Sequence, residues 1–335
     1  MNENETIKSA LNDVILFKND CEKGEGIEIA QKYGVRGYPT FISVNSKGEI
    51  TDRWIGYEGP EAWSAVALAA AADPRLLTAK KAAYAAEPTA ALARSLANDA
   101  STGYDFAGAV VFLKKARELD PANADATSRQ ILTYMAYGAQ GGAFTFDDIE
   151  AEAKPALASG MLEPGDHVEL ALMLHSVASR SGDASRAAPY IAGAMKASEG
   201  SDDETVQKYR KELAVSNALV VEKDAGKAVE LKRATMPDDW RESPRRLNQF
   251  AWWCFENEVN LDEALELALK GAELAGDDAE RANILDTAAE LCNRLGNCDE
   301  AIAHMQRAVE LDPDKQYFKD QLARFQKAAE EKAKG

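Results

Sequence analysis

Cysteine, histidine and basic side chains are the groups that this sequence has in short supply. Its 335 residues include four cysteines and three histidines, and 39 Lys and Arg stand against 56 Asp and Glu, a formal net charge of −17. An excess of negative charge repels the phosphate backbone of nucleic acids and anionic lipid headgroups, both of which require clustered cations. The sequence therefore predicts neither a nucleic-acid partner nor a membrane partner.

Long apolar runs are missing as well. The longest, Ala65 to Ala72, is rich in alanine and far short of the roughly eighteen residues that a membrane-spanning helix needs. The opening residues MNENETIKSALND lack the basic and then apolar segments of a signal peptide. As written, the sequence predicts a cytoplasmic protein, and a periplasmic location stays open for a signal carried on a preceding segment.

The histidines His167, His175 and His304 are scattered along the chain. They show neither the i, i+4 pairing nor the neighbouring cysteine that a zinc site uses. No Ser, His and Asp arrangement stands out, and the turn at Gly24 to Gly26 lacks the third glycine of a dinucleotide-binding fingerprint. We therefore predict no catalytic residue, no metal and no cofactor for the chain as given.

The first 73 residues alternate between helical and strand-like patterns, whereas strand signals vanish from Pro74 onward. Predicted helices cover Thr6 to Asn12, Gly26 to Tyr33 and a segment that begins at Pro60, where a proline in the first turn leaves no N–H unsatisfied. Predicted strands cover Val14 to Lys18, Phe41 to Val44 and Glu49 to Ile55, with a turn at Asn45 to Gly48 between the last two.

The stretch from Glu28 to Tyr57 carries a resemblance. A helix that ends in Tyr33-Gly34-Val35 leads into Arg36-Gly37-Tyr38-Pro39-Thr40 and then into the two strands. This order is similar to the second half of a thioredoxin-like domain, the fold of bacterial thiol-disulfide oxidoreductases. The resemblance implies a partial α/β thioredoxin fold in residues 1–73.

The resemblance also implies roles for the loop residues. In the thioredoxin-like family the proline is cis and faces a Cys-x-x-Cys pair, and the residue before it binds an extended substrate peptide. Carried over, Tyr38, Pro39 and Thr40 are the expected substrate-binding residues. No Cys-x-x-Cys occurs in this sequence. By resemblance the pair should precede Pro39 by roughly forty residues, at or just before Met1, so we expect a domain truncated at its N-terminal side.

The cysteines that are present favour packing over chemistry. Cys21 lies between Asp20 and Glu22, whose charges disfavour a reactive thiolate. Cys254, Cys292 and Cys298 stand in helical segments where cysteine acts as a small apolar residue. A Cys292–Cys298 disulfide stays open as an alternative for an exported protein.

The helical region repeats. Leu285, Ala288, Ala289, Cys292, Ala301, Met305, Ala308 and Pro313 define a frame. Phe106 to Pro121 matches its second half, a third copy begins at Asn248, and a fourth, shorter match begins at Gly182. Residues 122–165 and 200–245 are helical without a clear frame. Self-similarity at this spacing is typical of stacked helix pairs, and the frame resembles the tetratricopeptide repeat (TPR).

The TPR resemblance predicts an all-α helical solenoid over residues 74–335. Small residues such as Ala301 let the paired helices approach closely, and stacked neighbours complete the core and leave a groove for a protein or peptide. The strongly polar segment from Gln316 to Lys334 is the expected capping helix.

Two functions follow from the two resemblances. The first is a thioredoxin-like thiol-disulfide oxidoreductase or isomerase fused to TPR repeats, in which this chain lacks the redox cysteines. The alternative is a non-enzymatic TPR adaptor or scaffold. Either would bind protein or peptide partners through the repeat groove and the loop that bears Pro39.

Overall fold

The computed structural model of the protein describes residues 4–12, 14–57, 59–160 and 162–334. The chain divides into two compact units, Met1–Tyr190 and Ile191–Gly335. Within the described residues there are seventeen α-helices and a single two-stranded sheet. The predicted domain boundary after residue 73 stays a prediction.

Unit 1 opens with a small mixed layer, which we call the N-terminal layer. Strands β1 (Thr40–Val44) and β2 (Ile50–Ile55) pair antiparallel, with Phe41 opposite Trp54 and an irregularity between Ser43 and Val44. The helices of this part of the chain are α1 (Glu5–Ala10), α2 (Glu25–Tyr33) and α3 (Pro60–Ala72). Phe41, Trp54 and Trp63 form an aromatic cluster between the sheet and α3.

Local sequence explains where these helices begin and end. The side chain of Asn4 accepts hydrogen bonds from the backbone N–H groups of Thr6 and Ile7, so it caps α1. Gly34 ends α2 with a left-handed φ of 65°, which glycine adopts without the clash of a Cβ. Pro60 occupies the first turn of α3, as predicted.

One predicted strand of this layer is wrong. The segment Val14 to Lys18 forms no strand in the structure, and Ile15 and Phe17 are 100% and 74% exposed. Its residues carry a strand-like apolar pattern, but β1 and β2 pair only with each other. A strand exists only where a neighbouring strand bonds its backbone groups, and the sheet of the described residues consists of β1 and β2.

The rest of unit 1 is helical. Its elements are α4 (Leu77–Ala86), α5 (Ala90–Thr102), α6 (Phe106–Leu119), α7 (Ala124–Gln140), α8 (Phe146–Ala158) and α9 (Pro164–Arg180), with short 3₁₀ segments at Pro121–Asn123 and Ala184–Ala187. Helix α10 (Ala188–Ala197) spans the division between the units. Consecutive helices pack against one another, with the closest association between α5 and α6.

Unit 2 continues with helix pairs. It contains α11 (Glu204–Ser216), a π-helical segment at Asn217–Glu222, α12 (Ala225–Ala234), a 3₁₀ turn at Trp240–Glu242, α13 (Pro244–Glu256), α14 (Leu261–Leu274), α15 (Asp278–Leu295), α16 (Cys298–Leu311) and α17 (Gln316–Lys334). The pairs α13–α14 and α15–α16 share one apolar core, on which α17 packs through Phe318 and Phe325.

The repeat frame read from the sequence fits these pairs. Ala109, Ala264 and Ala301 are all fully buried, and each lies on the second helix of a pair. At such positions a small side chain allows close approach of the two helix backbones. The predicted helical character of this region is confirmed, and the predicted capping helix has the bounds of α17.

None of the helices in the described part of the chain combines the length and the apolar character that a membrane crossing requires.

Candidate functional site

The predicted substrate-binding residues lie on an exposed loop between α2 and β1. The Tyr38–Pro39 peptide bond is cis, which confirms that part of the sequence prediction. Tyr38 is 60% exposed, Pro39 is exposed and Thr40 is half-buried. The Thr40 hydroxyl donates to the carbonyl oxygen of Gly37 at 2.6 Å, and the carbonyl of Pro39 accepts from the N–H of Gly56 at 2.9 Å. The loop is therefore fixed at both ends while its tyrosine faces outward.

The first helix pair holds the same loop from the other side. Tyr104, in the turn between α5 and α6, donates its hydroxyl to the carbonyl oxygen of Arg36 at 3.4 Å, and Arg36 Nη1 lies 3.5 Å from the carbonyl oxygen of Gly103. A Cβ on Gly37 would lie only 2.6 Å from the Tyr104 hydroxyl oxygen. A larger residue at position 37 would therefore force the Tyr104 side chain to shift.

Tyr104 begins a group of aromatic side chains that sequence analysis did not select. The Tyr104 and Phe106 rings are 5.8 Å apart, and Phe106 lies 5.5 Å from Tyr137 and 5.9 Å from Tyr134. Tyr104 and Tyr137 are 47% and 50% exposed. The aromatic residues of α6 and α7 stand thirty residues apart in sequence, so only the packing of the two helices brings them together.

The turn that carries Tyr104 has an unusual backbone. Tyr104 has a φ of 65°, in the left-handed region that side chains larger than glycine seldom adopt. Two backbone hydrogen bonds stabilise it: Tyr104 N–H to the Ser101 carbonyl and Asp105 N–H to the Ala100 carbonyl, both 2.9 Å. The ring is therefore held at a fixed angle above the loop.

The cysteines are not arranged for thiol chemistry. Burial raises the pKa of Cys254 to about 12 and that of Cys292 to about 11, so neither is a thiolate at neutral pH. Cys21 is half-exposed, and the next cysteine in the chain is Cys254. All four cysteines are free thiols, so the alternative Cys292–Cys298 disulfide is not formed in this structure.

A buried charge cluster joins the sheet to α4 and α5. Lys80 is 1% exposed and its Nζ lies 2.9 Å from Asp52 Oδ2, which also accepts from the Ser95 hydroxyl at 2.8 Å. Beside it, Arg53 Nε donates to Asp99 at 2.6 Å. Every charge in this cluster has a partner, so its role is to bond β2 to the first helices.

A cavity of about 190 Å³ opens between α6, α7 and α8. Its charged lining includes Arg117 and Glu152, which form an ion pair, and Lys114 Nζ lies 3.2 Å from the same carboxylate. Burial favours the neutral form of Glu152, but the hydrogen bonds and charges of Arg117 and Lys114 outweigh it and lower the pKa of that carboxyl. These ion pairs join α6 to α8, and Arg117 also donates to the Ser128 hydroxyl of α7 at 2.9 Å.

Helix α15 carries two buried carboxylates one turn apart. Glu290 pairs with Arg324, whereas Asp286 accepts a single hydrogen bond, from the Tyr317 hydroxyl at 3.1 Å. The second oxygen of Asp286 is buried without a hydrogen-bond partner. Burial raises the pKa of Asp286 above its usual value of 3.8, and the charge of Glu290 adds to that effect.

The histidines are distributed as the sequence indicates. His175 and His304 are partly buried, and burial lowers the pKa of both. Within residues 4–12, 14–57, 59–160 and 162–334, no group of three or more His, Cys, Asp or Glu side chains could hold a metal ion.

Comparisons with known proteins give structural neighbours only. No protein-family model matches the chain, and no curated protein matches it. Among solved structures it is similar to YrrB, a TPR protein with an unusual peptide-binding site (18% identity, 72% of this chain and 96% of that chain, TM-score 0.34). It is also similar to the TPR2AB domain of yeast Sti1 in a pHsp90 complex (15% identity, 73% and 86%, TM-score 0.30).

A third similar structure is the Cut9–Hcn1 hetero-tetramer of the APC/C. It shares 14% identity over 80% of this chain and 49% of that one, with a TM-score of 0.40. Because these identities and TM-scores are low, the description of the helix pairs rests on the geometry of this chain alone.

Proposed function

We propose that the protein is an adaptor of the TPR type, which binds peptide segments of other proteins and catalyses no reaction of its own. The observation that carries the proposal is the packing of the helix pairs. The apolar core of α13–α16 contains small side chains that are fully buried between the helices, for example Ala251, Ala268 and Ala289. The outward side chains of the first helices, for example Gln249, are therefore exposed and available to a partner.

The exposed loop of unit 1 belongs to the same proposal. Tyr38, Pro39 and Thr40 are proposed as binding residues, because Tyr38 projects outward from a loop that hydrogen bonds hold on both sides. Tyrosine contributes a large contact area with few rotatable bonds, which lowers the entropy lost on binding.

A selection experiment on the full chain tests the adaptor proposal. A random peptide library displayed on phage is selected against the immobilised chain, and each enriched peptide is synthesised and titrated by fluorescence anisotropy. We expect an enriched consensus with Kd values of about 1–100 μM, typical of a small preformed surface. The control is the same library selected on resin that carries no protein. If no peptide is enriched above that control, the proposal is contradicted.

A thioredoxin-like origin of residues 1–73 is the second candidate. The order of α2, β1, β2 and α3 supports it, because helix, strand, antiparallel strand and helix follow one another as in that family. Residues 74–335 are then the repeat region. Disulfide exchange needs an attacking and a resolving thiol, and Cys21 has no second cysteine in its unit.

An insulin-reduction assay separates the two candidates. The chain is incubated with insulin and dithiothreitol, with a Cys21→Ser variant as the matched control. The adaptor proposal predicts the background rate for both chains. A rate above background that Cys21→Ser abolishes would favour the oxidoreductase.

A further inference from the structure

Four aromatic side chains of unit 1 make up what we call the aromatic strip: Tyr38, Tyr104, Phe106 and Tyr137. Adjacent rings in the helical part are 5.8 and 5.5 Å apart, and the Tyr104 hydroxyl reaches the backbone of Arg36, two residues before Tyr38 in the chain. Three of the four members are among the exposed large apolar side chains. The strip therefore links the loop of Pro39 to helices α6 and α7.

The strip is rigid where it matters for binding. Tyr104 is fixed by its left-handed backbone and by the contact of its hydroxyl with the Arg36 carbonyl. Phe106 is clamped between Tyr104, Tyr134 and Tyr137. A surface that is already ordered loses little conformational entropy when a ligand arrives.

A cation lies at one end of the strip. Arg36 is exposed, and no carboxylate of the described residues lies within ion-pair distance of it. In a chain with a net charge of −17, most basic side chains of the helical region have an acidic partner, whereas this one faces solvent beside Tyr104. The unpaired guanidinium is complementary to a partner carboxylate, which it can hold with two parallel hydrogen bonds.

We propose that the aromatic strip binds an extended, proline-containing peptide segment, and that Arg36 pairs with an acidic residue of the same segment. This inference rests on the proposed adaptor function and names its ligand class. Proline-rich segments adopt the polyproline II helix and dock on surfaces of exposed aromatic rings, where proline rings pack against ring faces. One turn of that helix is about 9 Å long, comparable to the span of three neighbouring rings.

The hydroxyl groups of the strip favour the same ligand. A polyproline II backbone has no internal hydrogen bonds, so its carbonyl oxygens are free to accept. Tyr38 and Tyr137 have hydroxyl donors without a partner among the described residues. An amphipathic helix, in contrast, satisfies its own carbonyls and requires a continuous apolar groove. The alternation of ring and hydroxyl therefore suits an extended peptide better than a helix.

The test uses the full chain and synthetic ten-residue peptides labelled with fluorescein. Three peptides share prolines at every third position and differ at one position, which is Glu, Lys or Ser. A fourth replaces every proline of the Glu peptide by alanine. We expect the Glu peptide to bind tightest in an anisotropy titration, and the alanine peptide to bind at least tenfold more weakly.

Variants of the chain then locate the contact. Tyr38→Ala and Tyr137→Ala should each weaken binding of the Glu peptide about tenfold, whereas Tyr317→Ala, which removes a 45% exposed tyrosine of unit 2, should leave it unchanged. Arg36→Glu should weaken the Glu peptide by about tenfold and strengthen the Lys peptide. This reversal separates a direct ion pair from a general loss of folding.

Each outcome decides. Equal affinity for the proline and alanine peptides, or binding that is indifferent to Tyr137→Ala and Arg36→Glu, would overturn the inference. If the phage selection still yields peptides that bind elsewhere, the adaptor proposal stands without the strip. If neither the selection nor the synthetic peptides give binding, both proposals fail.

Discussion

The N-terminal layer and the terminal helix pairs bury their apolar side chains to very different extents. In unit 2, α13 to α17 contribute to one continuous core that includes the fully buried Phe250, Met305 and Phe318. In the N-terminal layer the buried apolar cluster is small, with Ile7, Ala10 and Trp63 at its centre. The same chain therefore contains a self-sufficient helical core and a thin layer that depends on its neighbours.

Buried polar atoms without a hydrogen-bond partner occur in both regions, since Asn248 and Asp286 of the helix pairs also leave a side-chain oxygen unpaired. Within the described residues, the N-terminal layer leaves three buried polar atoms without a hydrogen-bond partner: the indole nitrogens of Trp54 and Trp63 and the hydroxyl of Ser64. Each such group opposes folding by about 1–3 kcal/mol. Opposite this, the layer has the ion pairs of Lys80 and Arg53 with buried carboxylates. The ion pairs between β2 and helices α4 and α5 therefore attach the sheet to the helices more than apolar burial does.

The largest difference between the two regions should appear on truncation of a phenylalanine in each. Phe250→Ala leaves a cavity in a closed core and should lower the free energy of unfolding of unit 2 by about 3–5 kcal/mol. Phe41→Ala, at a half-buried position, should lower the stability of its layer by less than half as much. Hydrogen exchange read by mass spectrometry resolves the two regions separately. Equal losses at both sites would mean that the layer is as well packed as the helix pairs.

The next effect concerns the buried ion pair. Lys80→Ala leaves the buried Asp52 carboxylate without its cation, with only the Ser95 hydroxyl and the Arg53 backbone N–H as donors, so we expect unit 1 to lose about 3 kcal/mol. Lys81→Ala is the matched control, because the neighbouring lysine pairs with Asp99 from a solvent-exposed position and should contribute less than about 1 kcal/mol. Urea unfolding of the two variants measures the difference. Similar losses for both would show that the sheet does not depend on the buried pair.

The stability of the two units should depend on pH in different ways, because each contains one carboxyl group with a shifted pKa. Each group should change the free energy of unfolding by about 1 kcal/mol. Glu152 has a lowered pKa in the folded chain. Its contribution to stability is therefore complete above pH 4.5, the ordinary pKa of a glutamate, and is lost only as the pH falls through its lower folded-state pKa. Asp286 has a raised pKa in the folded chain. The stability that its protonated form contributes is therefore complete below pH 3.8, the ordinary pKa of an aspartate, and is lost as the pH rises through its folded-state pKa.

The expected results have opposite signs. At pH 7, Glu152→Gln should destabilise unit 1 and Asp286→Asn should stabilise unit 2. Between pH 7 and pH 5 the effect of Glu152→Gln should stay constant, while the gain from Asp286→Asn should shrink towards low pH. Thermal unfolding at a series of pH values records both. A gain for Asp286→Asn that does not change with pH would show that ionisation of that carboxyl is not the cause.

The helical repeats could be predicted from the sequence because their signal is local. The spacing of Ala264, Ala301 and their neighbours reports directly on which side chains face the paired helix, and the structure buries these residues. The loop of Pro39 was found in the same way, from contiguous residues. The contact of that loop with Tyr104 was not found, because Tyr104 approaches it only through tertiary packing.

The wrong strand has the opposite origin. The residues Val14 to Phe17 have the apolar, β-branched composition of a strand, and composition was the whole basis of the prediction. Strand formation depends on a hydrogen-bonding neighbour that a single sequence does not specify. Helices satisfy their own backbone groups, so their prediction does not suffer from this dependence.

The smallest expected effect sharpens this point. Ile15→Lys and Phe17→Ser change fully or largely exposed side chains, so each should alter the free energy of unfolding by less than about 0.5 kcal/mol. Because an exposed apolar run promotes association, both should reduce any self-association seen by sedimentation velocity. Ile7→Ser, at a buried position in the same layer, is the contrasting variant and should destabilise markedly. A loss above 1 kcal/mol for Ile15→Lys would mean that the segment packs in solution, as its strand-like sequence predicts. The difference in apolar burial between the N-terminal layer and the terminal helix pairs would then be smaller.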